Sequence, residues 1–189
     1  MRIIAGQYRG RRLKAPRGAA VRPTSDGLRE TLFNILRAHV PGARVLEGFA
    51  GTGAIGLEAL SRGAAHVTFV ERDRHALDAL RQNVAACSAA EACAIIRDDF
   101  VGAGARHAAE SYDLVIVDPP YDTDSYEPIL LEAAARLAPG GVVVVEHSRR
   151  RPAPAAAAHL SRQRVVTAGD SALAFYAADP GDLSGRRRD

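Results

Sequence analysis

The residues best suited to chemistry fall in two short segments, each at the end of an apolar run. Glu47-Gly-Phe-Ala-Gly-Thr-Gly53 follows Arg44-Val-Leu46, and Asp118-Pro-Pro-Tyr121 follows Leu114-Val-Ile-Val117. Within the first, Gly51-Thr-Gly-Ala-Ile-Gly56 matches G-x-G-x-x-G, whose glycines let the backbone approach a ligand closely. Glu71 lies 20 residues beyond Gly51, the place of an acid that accepts from both ribose hydroxyls. This much specifies an adenosine-containing cofactor and leaves its identity open. The acid that opens the loop narrows the choice. Glu47-x-Phe49-x-Gly51-x-Gly53 is the pattern of S-adenosylmethionine enzymes, whose ligand carries an ammonium and a sulfonium but no pyrophosphate. A cationic ligand explains a neighbouring carboxylate better than a dinucleotide does. Asp98 and Asp99 follow a third apolar run and offer an acceptor for the adenine amine. Asp99 is favoured on spacing, and either also fits a loop cap.

The second segment suits a flat amine. The exocyclic amine of a nucleobase is a poor nucleophile because its lone pair is delocalised into the ring. A carboxylate and a backbone carbonyl that accept its two N–H bonds favour the pyramidal, nucleophilic form. Asp118 supplies the carboxylate and Pro119 the carbonyl, while Pro119 and Pro120 together make a stiff turn at low entropic cost. Tyr121 offers a face on which the base can stack. The position matters as much as the composition, because open α/β sheets place ligands at the carboxyl ends of their strands.

The elements that must position these residues follow from the apolar rhythm. Strands are expected at 44–47, 66–71, 94–96, 114–117 and 142–145, separated by helices at 54–62, 73–86 and 123–137. Continuous apolar runs that alternate with helices imply a mostly parallel sheet covered on both faces. Pro139-Gly-Gly141 turns the chain into the fifth strand, and Glu146-His147 follow it. His147 reads either as a pocket residue or as a solvated strand end. After Pro152 an Ala-rich helix is expected, then 165–167 and 172–177 as a closing hairpin. Ahead of the sheet, 2–8 and 11–14 read as a short basic hairpin around Arg9-Gly10. Residues 16–23 read as a loop. Thr24, Ser25 and Asp26 then cap a helix with the stripe Leu28, Leu32, Ile35 and Leu36, which Pro41-Gly42 stops. The expected organisation is an RNA-contacting extension over 1–40, a cofactor-binding domain over 41–180 and a disordered tail over 181–189.

Composition excludes several alternatives. The 189 residues carry a net charge of +3, with 47% hydrophobic and 25% charged residues, as in an ordinary globular chain. No apolar run approaches the ~20 residues of a membrane span, and no signal-peptide pattern opens the chain, so the cytoplasm is the expected compartment. Six histidines lack metal-ligand spacing, and Ser61 and Ser171 lack the hydrolase elbow, so neither metal nor acyl-enzyme chemistry is indicated. Cys87 and Cys93 read as reduced, partly buried thiols. Charge is uneven: residues 1–40 hold nine cations (Arg2, Arg9, Arg11, Arg12, Lys14, Arg17, Arg22, Arg29, Arg37) against Asp26 and Glu30. Clustering of this kind suits a phosphate backbone, and Arg9, Arg11, Arg12 and Arg22 are the candidate contacts.

Over nearly its whole length the chain resembles the RsmD family of bacterial 16S ribosomal RNA guanine-N2 methyltransferases. Arg2-Ile-Ile-Ala-Gly-Gln-Tyr-Arg-Gly-Arg11, Arg22-Pro-Thr-Ser-Asp26 and Arg29-Glu-Thr-Leu-Phe-Asn34 are similar to its N-terminal signature, the discriminating part. The run from Phe49, Ala50, Gly51, Thr52 and Gly53 to Gly63 resembles its cofactor segment, and Val70-Glu71-Arg72-Asp73 its ribose segment. Asp118-Pro-Pro-Tyr121 resembles its catalytic motif. The resemblance implies a class I, Rossmann-like methyltransferase fold with a seven-stranded sheet and S-adenosylmethionine as donor. It implies one guanine of 16S rRNA, in the small ribosomal subunit or its assembly intermediate, as acceptor, with a monomeric, metal-free enzyme. Two residues depart from the family pattern: Glu47 stands where Asp is usual, and Tyr121 where Phe is frequent. The rivals are an N6-adenine methyltransferase of DNA or RNA, a nicotinamide-dependent oxidoreductase, and a non-catalytic RNA-binding assembly factor on this scaffold. The oxidoreductase leaves Asp118 to Tyr121 unexplained, and the assembly factor needs neither motif.

Overall fold

A computed structural model describes residues 1–16, 26–102, 111–120, 123 and 125–178. The elements in chain order are α1 (Asp26–Ile35), β1 (Arg44–Gly48), α2 (Ala54–Ser61), β2 (His66–Glu71), α3 (Arg74–Ala86), β3 (Cys93–Arg97), β4 (Tyr112–Val117), α4 (Glu127–Arg136), β5 (Leu137–Ser148), β6 (Ala156–Ala157), β7 (Leu160–Ala168) and β8 (Ser171–Ala177). They form one sheet in the order β3-β2-β1-β4-β5-β8-β7-β6. Pairing is parallel from β3 through β5 and antiparallel from β5 through β6. The chain starts in the middle of the sheet, winds outward to β3, and returns through β4 next to β1. The carboxyl ends of β1 and β4 therefore meet at a topological switch point, the position at which open α/β sheets bind ligands.

Alternation along the central strands sends side chains to two cores. Val45, Val67, Phe69, Leu114, Ile116, Val142 and Val144 face the side covered by α1, α2 and α3. Leu46, Val70, Val115, Val117, Val143 and Val145 face Ile129, Leu130 and Ala133 of α4. Every residue of α2 is buried, because the helix lies between the sheet and the chain's first residues. Ile3 and Leu13 belong to the same core as α1 to α3.

That first segment is held mainly by one carboxylate. Glu58, in α2, is fully buried and accepts from the Ile4 and Ala5 N–H groups at 2.7 and 3.0 Å. It also accepts from Arg62 Nε at 2.7 Å and lies 4.0 Å from Arg29 Nε. Arg29, equally buried, donates to the Arg2 carbonyl and to Asp26. One of the nine cations counted in the basic segment is thus an internal structural charge.

The structure corrects five local expectations. The sheet has eight strands, because Ala156–Ala157 forms a two-residue edge strand against Leu160 and Ser161 where an Ala-rich helix was expected. Buried Ala153 and Leu160 anchor that stretch, and Ala158 at φ 53 turns it too tightly for a helix. The N-terminal hairpin is reduced to one bridge, Arg2 to Arg12, because the chain leaves the ladder at Gly6 to dock on Ser61. At φ 79 and with Ser61 O 1.7 Å from any added Cβ, only glycine fits there. Helix α4 starts at Glu127 and not at Thr123, since Thr123 N–H and Oγ1 both bond the Pro120 carbonyl and close the preceding turn. The residues around Pro139-Gly-Gly141 lie within β5 as an irregularity, with Leu137 opposite Tyr112 and Val142 opposite Leu114. His147 is buried at 3% exposure, its ring edge-on to Tyr126, which removes the solvated strand-end reading. The loop at 17–23, the caps Thr24 and Ser25, the loop beyond Gly102 and the tail at 181–189 lie outside the described residues.

Replacing Glu58 by Ala should cost about 3–5 kcal/mol, because it orphans two backbone donors and strips the buried Arg29 of a counter-charge. Urea denaturation measures the loss, and trypsin should then cut between Arg9 and Arg12 well below the global midpoint. Unchanged trypsin resistance would show that the arm is held by other contacts.

Candidate active site

At the end of β1 the chain must turn sharply into α2 while leaving room above it. Gly53 takes the left-handed conformation at φ 73 as the residue before the helix, and an added Cβ would lie 2.2 Å from Leu80. Gly56 sits on the inner face of α2, where a Cβ would fall 2.4 Å from Phe69 and 2.6 Å from Glu47 Oε2. Its absence lets the Glu47 carboxylate pass under the helix and accept from the Gly56 N–H at 2.8 Å. Between them Phe49 adopts φ 56, an uncommon conformation for a side-chain-bearing residue. Its ring packs against Phe100 with centroids 5.6 Å apart.

Three carboxylates converge here, one from each of β1, β2 and the end of β4. Glu47 is 3% exposed, and its carboxyl is pushed up to about 8. Burial is the largest cause, and the negative charges of Asp118 and Glu71 add to it, while the Gly56 and Ile55 N–H groups pull the other way. Glu71 Oε2 accepts from Gly51 N–H at 2.8 Å, which ties the glycine loop to the end of β2. Its Oε1 accepts from the Arg72 and Asp73 N–H groups. Asp118 follows β4 beside Gly48, half-buried, with Pro119 buried behind it. A carboxyl pushed upward by burial first and by two neighbouring acids second is a group that a cation would stabilise. That electrostatic deficit suits a ligand bearing ammonium or sulfonium charge, and it does not suit a pyrophosphate.

The remaining sequence-selected residues fall in two places. Arg72 and Asp99 form an exposed ion pair at 2.7 Å across the ends of β2 and β3, and Asp99 also accepts from Val101 N–H. Asp98 accepts from Asp99 N–H. Ala50 N–H bonds the Val70 carbonyl, so the loop is stitched to the neighbouring strand. By contrast, Arg9, Arg11 and Arg12 are exposed but lie with the docked arm. Tyr8 N–H bonds Ser61 at the end of α2, and Arg11 Nη1 donates to the Ala86 carbonyl at the end of α3. Both helices return the chain toward the edge where β2 and β3 begin, away from Asp118. Tyr121 and Arg22 lie outside the described residues.

Two contributors escaped the sequence reading. Asn83, 1% exposed, donates to the Thr52 carbonyl at 2.9 Å and the Lys14 carbonyl at 3.0 Å, and accepts from Lys14 N–H at 2.7 Å. It couples the glycine loop to the arm. The available signal was an amide on the buried stripe of Ala76, Leu77, Leu80 and Val84. Glu58 was equally visible as an acid inside an otherwise apolar helix. Among the described residues no group of three or more His, Cys, Asp or Glu is arranged to hold a metal ion. No described helix is long and apolar enough to cross a membrane.

Comparison with known proteins places this geometry. The chain is 38% identical over 178 residues to ribosomal RNA small subunit methyltransferase D of Escherichia coli, covering 93% of this chain and 89% of that one. It is 34% identical over 182 residues to the putative rRNA methyltransferase YlbH of Bacillus subtilis, covering 93% and 98%. The solved structure of the putative methyltransferase yhhF from Escherichia coli superposes with a TM-score of 0.80 at 36% identity, covering 93% of this chain and 96% of that one. The fold is thus that of the class I methyltransferases, with one short edge strand beyond the expected seven. The model of the family described as Conserved hypothetical protein 95 matches residues 1–177, and the chain belongs to that family, the RsmD family that its N-terminal signature resembles.

Proposed function

We propose that the protein transfers a methyl group from S-adenosylmethionine to the exocyclic N2 amine of a guanine in 16S ribosomal RNA of the small subunit. The observation that carries this reading is the placement of Asp118 at the end of β4, in the same acidic crevice as Glu47 and Glu71. When bound, the cofactor supplies a methyl carbon made electrophilic by its sulfonium. Glu47, the glycine loop from Phe49 to Gly53, Glu71, Arg72 and Asp99 would hold it. The Asp118 carboxylate and the Pro119 carbonyl accept the two N–H bonds of the amine, which restores its lone pair. Asp118 can also take the proton that the amine gives up. No metal and no covalent enzyme intermediate is required, and a monomer suffices. Positioning supplies most of the acceleration. The target base reaches Asp118 flipped out or already unpaired. The family relatives named for small-subunit rRNA support the acceptor class. The choice of guanine N2 rests on the family resemblance.

Tritium transfer from labelled S-adenosylmethionine to small subunits lacking the modification, followed by nucleoside analysis, tests the reading. Label in N2-methylguanosine is expected; label in N6-methyladenosine would keep the mechanism and replace the base. Asp118→Ala should lower transfer by about 10²–10⁴-fold while cofactor affinity stays within a few-fold of wild type. Retained turnover would remove Asp118 from the acceptor role.

Glu47 carries a pH signature with a defined sign. Its folded-state carboxyl is raised to about 8, so the protonated form is favoured in the ligand-free fold. That contribution to stability is present at pH values below the ordinary carboxylate range and is lost as pH rises through about 8. A cationic ligand needs the ionised form, so S-adenosylmethionine affinity should rise from pH 6 to 8, by up to about tenfold per unit. Glu47→Gln should flatten both dependences, and calorimetric titration across that range checks them. A wild-type affinity independent of pH would show that Glu47 does not face the cation.

A further inference from the structure

A basic turn stands beside the catalytic mouth and has no part in the function described so far. The chain leaves β5 at Ser148 and enters Arg149-Arg150-Arg151, all exposed. The turn is built from hydrogen bonds. Arg150 N–H donates to Ser148 Oγ at 3.2 Å, and Arg151 N–H to the Ser148 carbonyl at 3.1 Å. Arg149 bonds the β7–β8 turn twice, through its N–H to Asp170 O at 2.9 Å and through Nη1 to Gly169 O at 3.1 Å. On the other side Arg151 Nη1 reaches the Thr123 carbonyl at 3.5 Å. Thr123 is itself bonded to the Pro120 carbonyl, so a single residue links the basic turn to Asp118-Pro-Pro120. The Tyr126 hydroxyl, pushed up mainly by burial, lies within electrostatic reach of both Arg151 and Asp118.

The electrostatics of the mouth require such a patch. A nucleotide whose base reaches Asp118 carries its phosphates past Asp118 and Glu71, acids that repel them. The arm's Arg9 and Arg11 dock near the far ends of α2 and α3 and are poorly placed to offset that repulsion. Screening confines a useful charge to about 10 Å or less. We infer that the Arg149–Arg151 turn grips the backbone phosphates of the single-stranded nucleotides that flank the target base. The inference rests on RNA being the substrate, as proposed above. In the sheet order the turn lies on the β5–β8 side of β4, whereas the arm packs with α2 and α3 on the β1–β2 side. The turn is therefore the basic element at the carboxyl ends of the strands, while the arm's cations lie toward the opposite ends.

Arg150 gives the cleanest test, because its guanidinium has no partner among the described residues and its loss leaves the turn's bonds intact. Arg150→Glu and Arg150→Ser are compared with Arg81→Glu, an exposed charge reversal on α3 whose Arg pairs with Asp78. Filter binding to small subunits lacking the modification is measured across a salt series, together with steady-state methyl transfer and cofactor binding. Arg150→Glu should raise Kd and KM about tenfold and lower the slope of log affinity against log salt by about one. kcat and cofactor affinity should hold within about twofold, and Arg150→Ser should fall between. A Kd, KM and slope for Arg150→Glu indistinguishable from those of Arg81→Glu would overturn the inference. Wild-type binding without methyl transfer would sink the methylation reading and leave the binding comparison to decide the turn. Absence of wild-type binding would sink both.

Discussion

The site depends on one buried carboxylate. Glu47 ends the apolar run of β1 and reaches beneath α2, where the glycine at position 56 leaves space for it. A carboxylate in that position is costly unless donors or a cation compensate it. The fold provides backbone N–H groups from the first turns of α2, a helix start that is electropositive in its own right. It stops short of full compensation, since Asp118 and Glu71 press on the same group. The close turn at Gly53, the loop tied to Glu71 and the arrival of β4 beside β1 are all arrangements around this unfinished electrostatic balance.

Around it the sheet serves as a rigid frame. The five strands from β3 to β5 are parallel and covered on both faces, so their carboxyl ends form the one edge where loops can be shaped for a ligand. Burial of α2 on all sides is unusual for a surface helix of a doubly wound fold, and it follows from the arm laid across it. Glu58, Arg29 and Ser61 are polar groups placed at that contact, and each bonds backbone of the docked segment. The arm is continuous with the domain's core through Ile3 and Leu13.

What could be read from the residues alone was whatever local pattern dictates. The run Leu114 to Val117 had to be a buried parallel strand, and Gly51, Gly53 and Gly56 had to precede and open a helix. Glu71 lay at a strand end by count. The expectations that failed were those decided by partners distant in the chain. Ala155 to Ala158 has helical composition, but Tyr176, 22 residues beyond Pro154, fixes the Pro154 carbonyl, and the stretch pairs with Leu160 and Ser161 at the sheet edge. Arg29 looks like one more surface cation until Glu58, 29 residues on, draws it inside. Arg9 and Arg11 belong to a basic segment by sequence, yet their height above or below the sheet is set by Ser61 and Ala86, which no local count reveals. Asn83 was legible only as an anomaly on an apolar stripe, with nothing to name its partners.

Asn83 has a consequence beyond packing. One amide holds the Thr52 carbonyl of the glycine loop and both backbone groups of Lys14, so neither can shift without disturbing the other's bonds. The glycine loop and the arm are thus fixed to each other through a single side chain, so a displacement of either is felt at the other without any movement of the sheet between them.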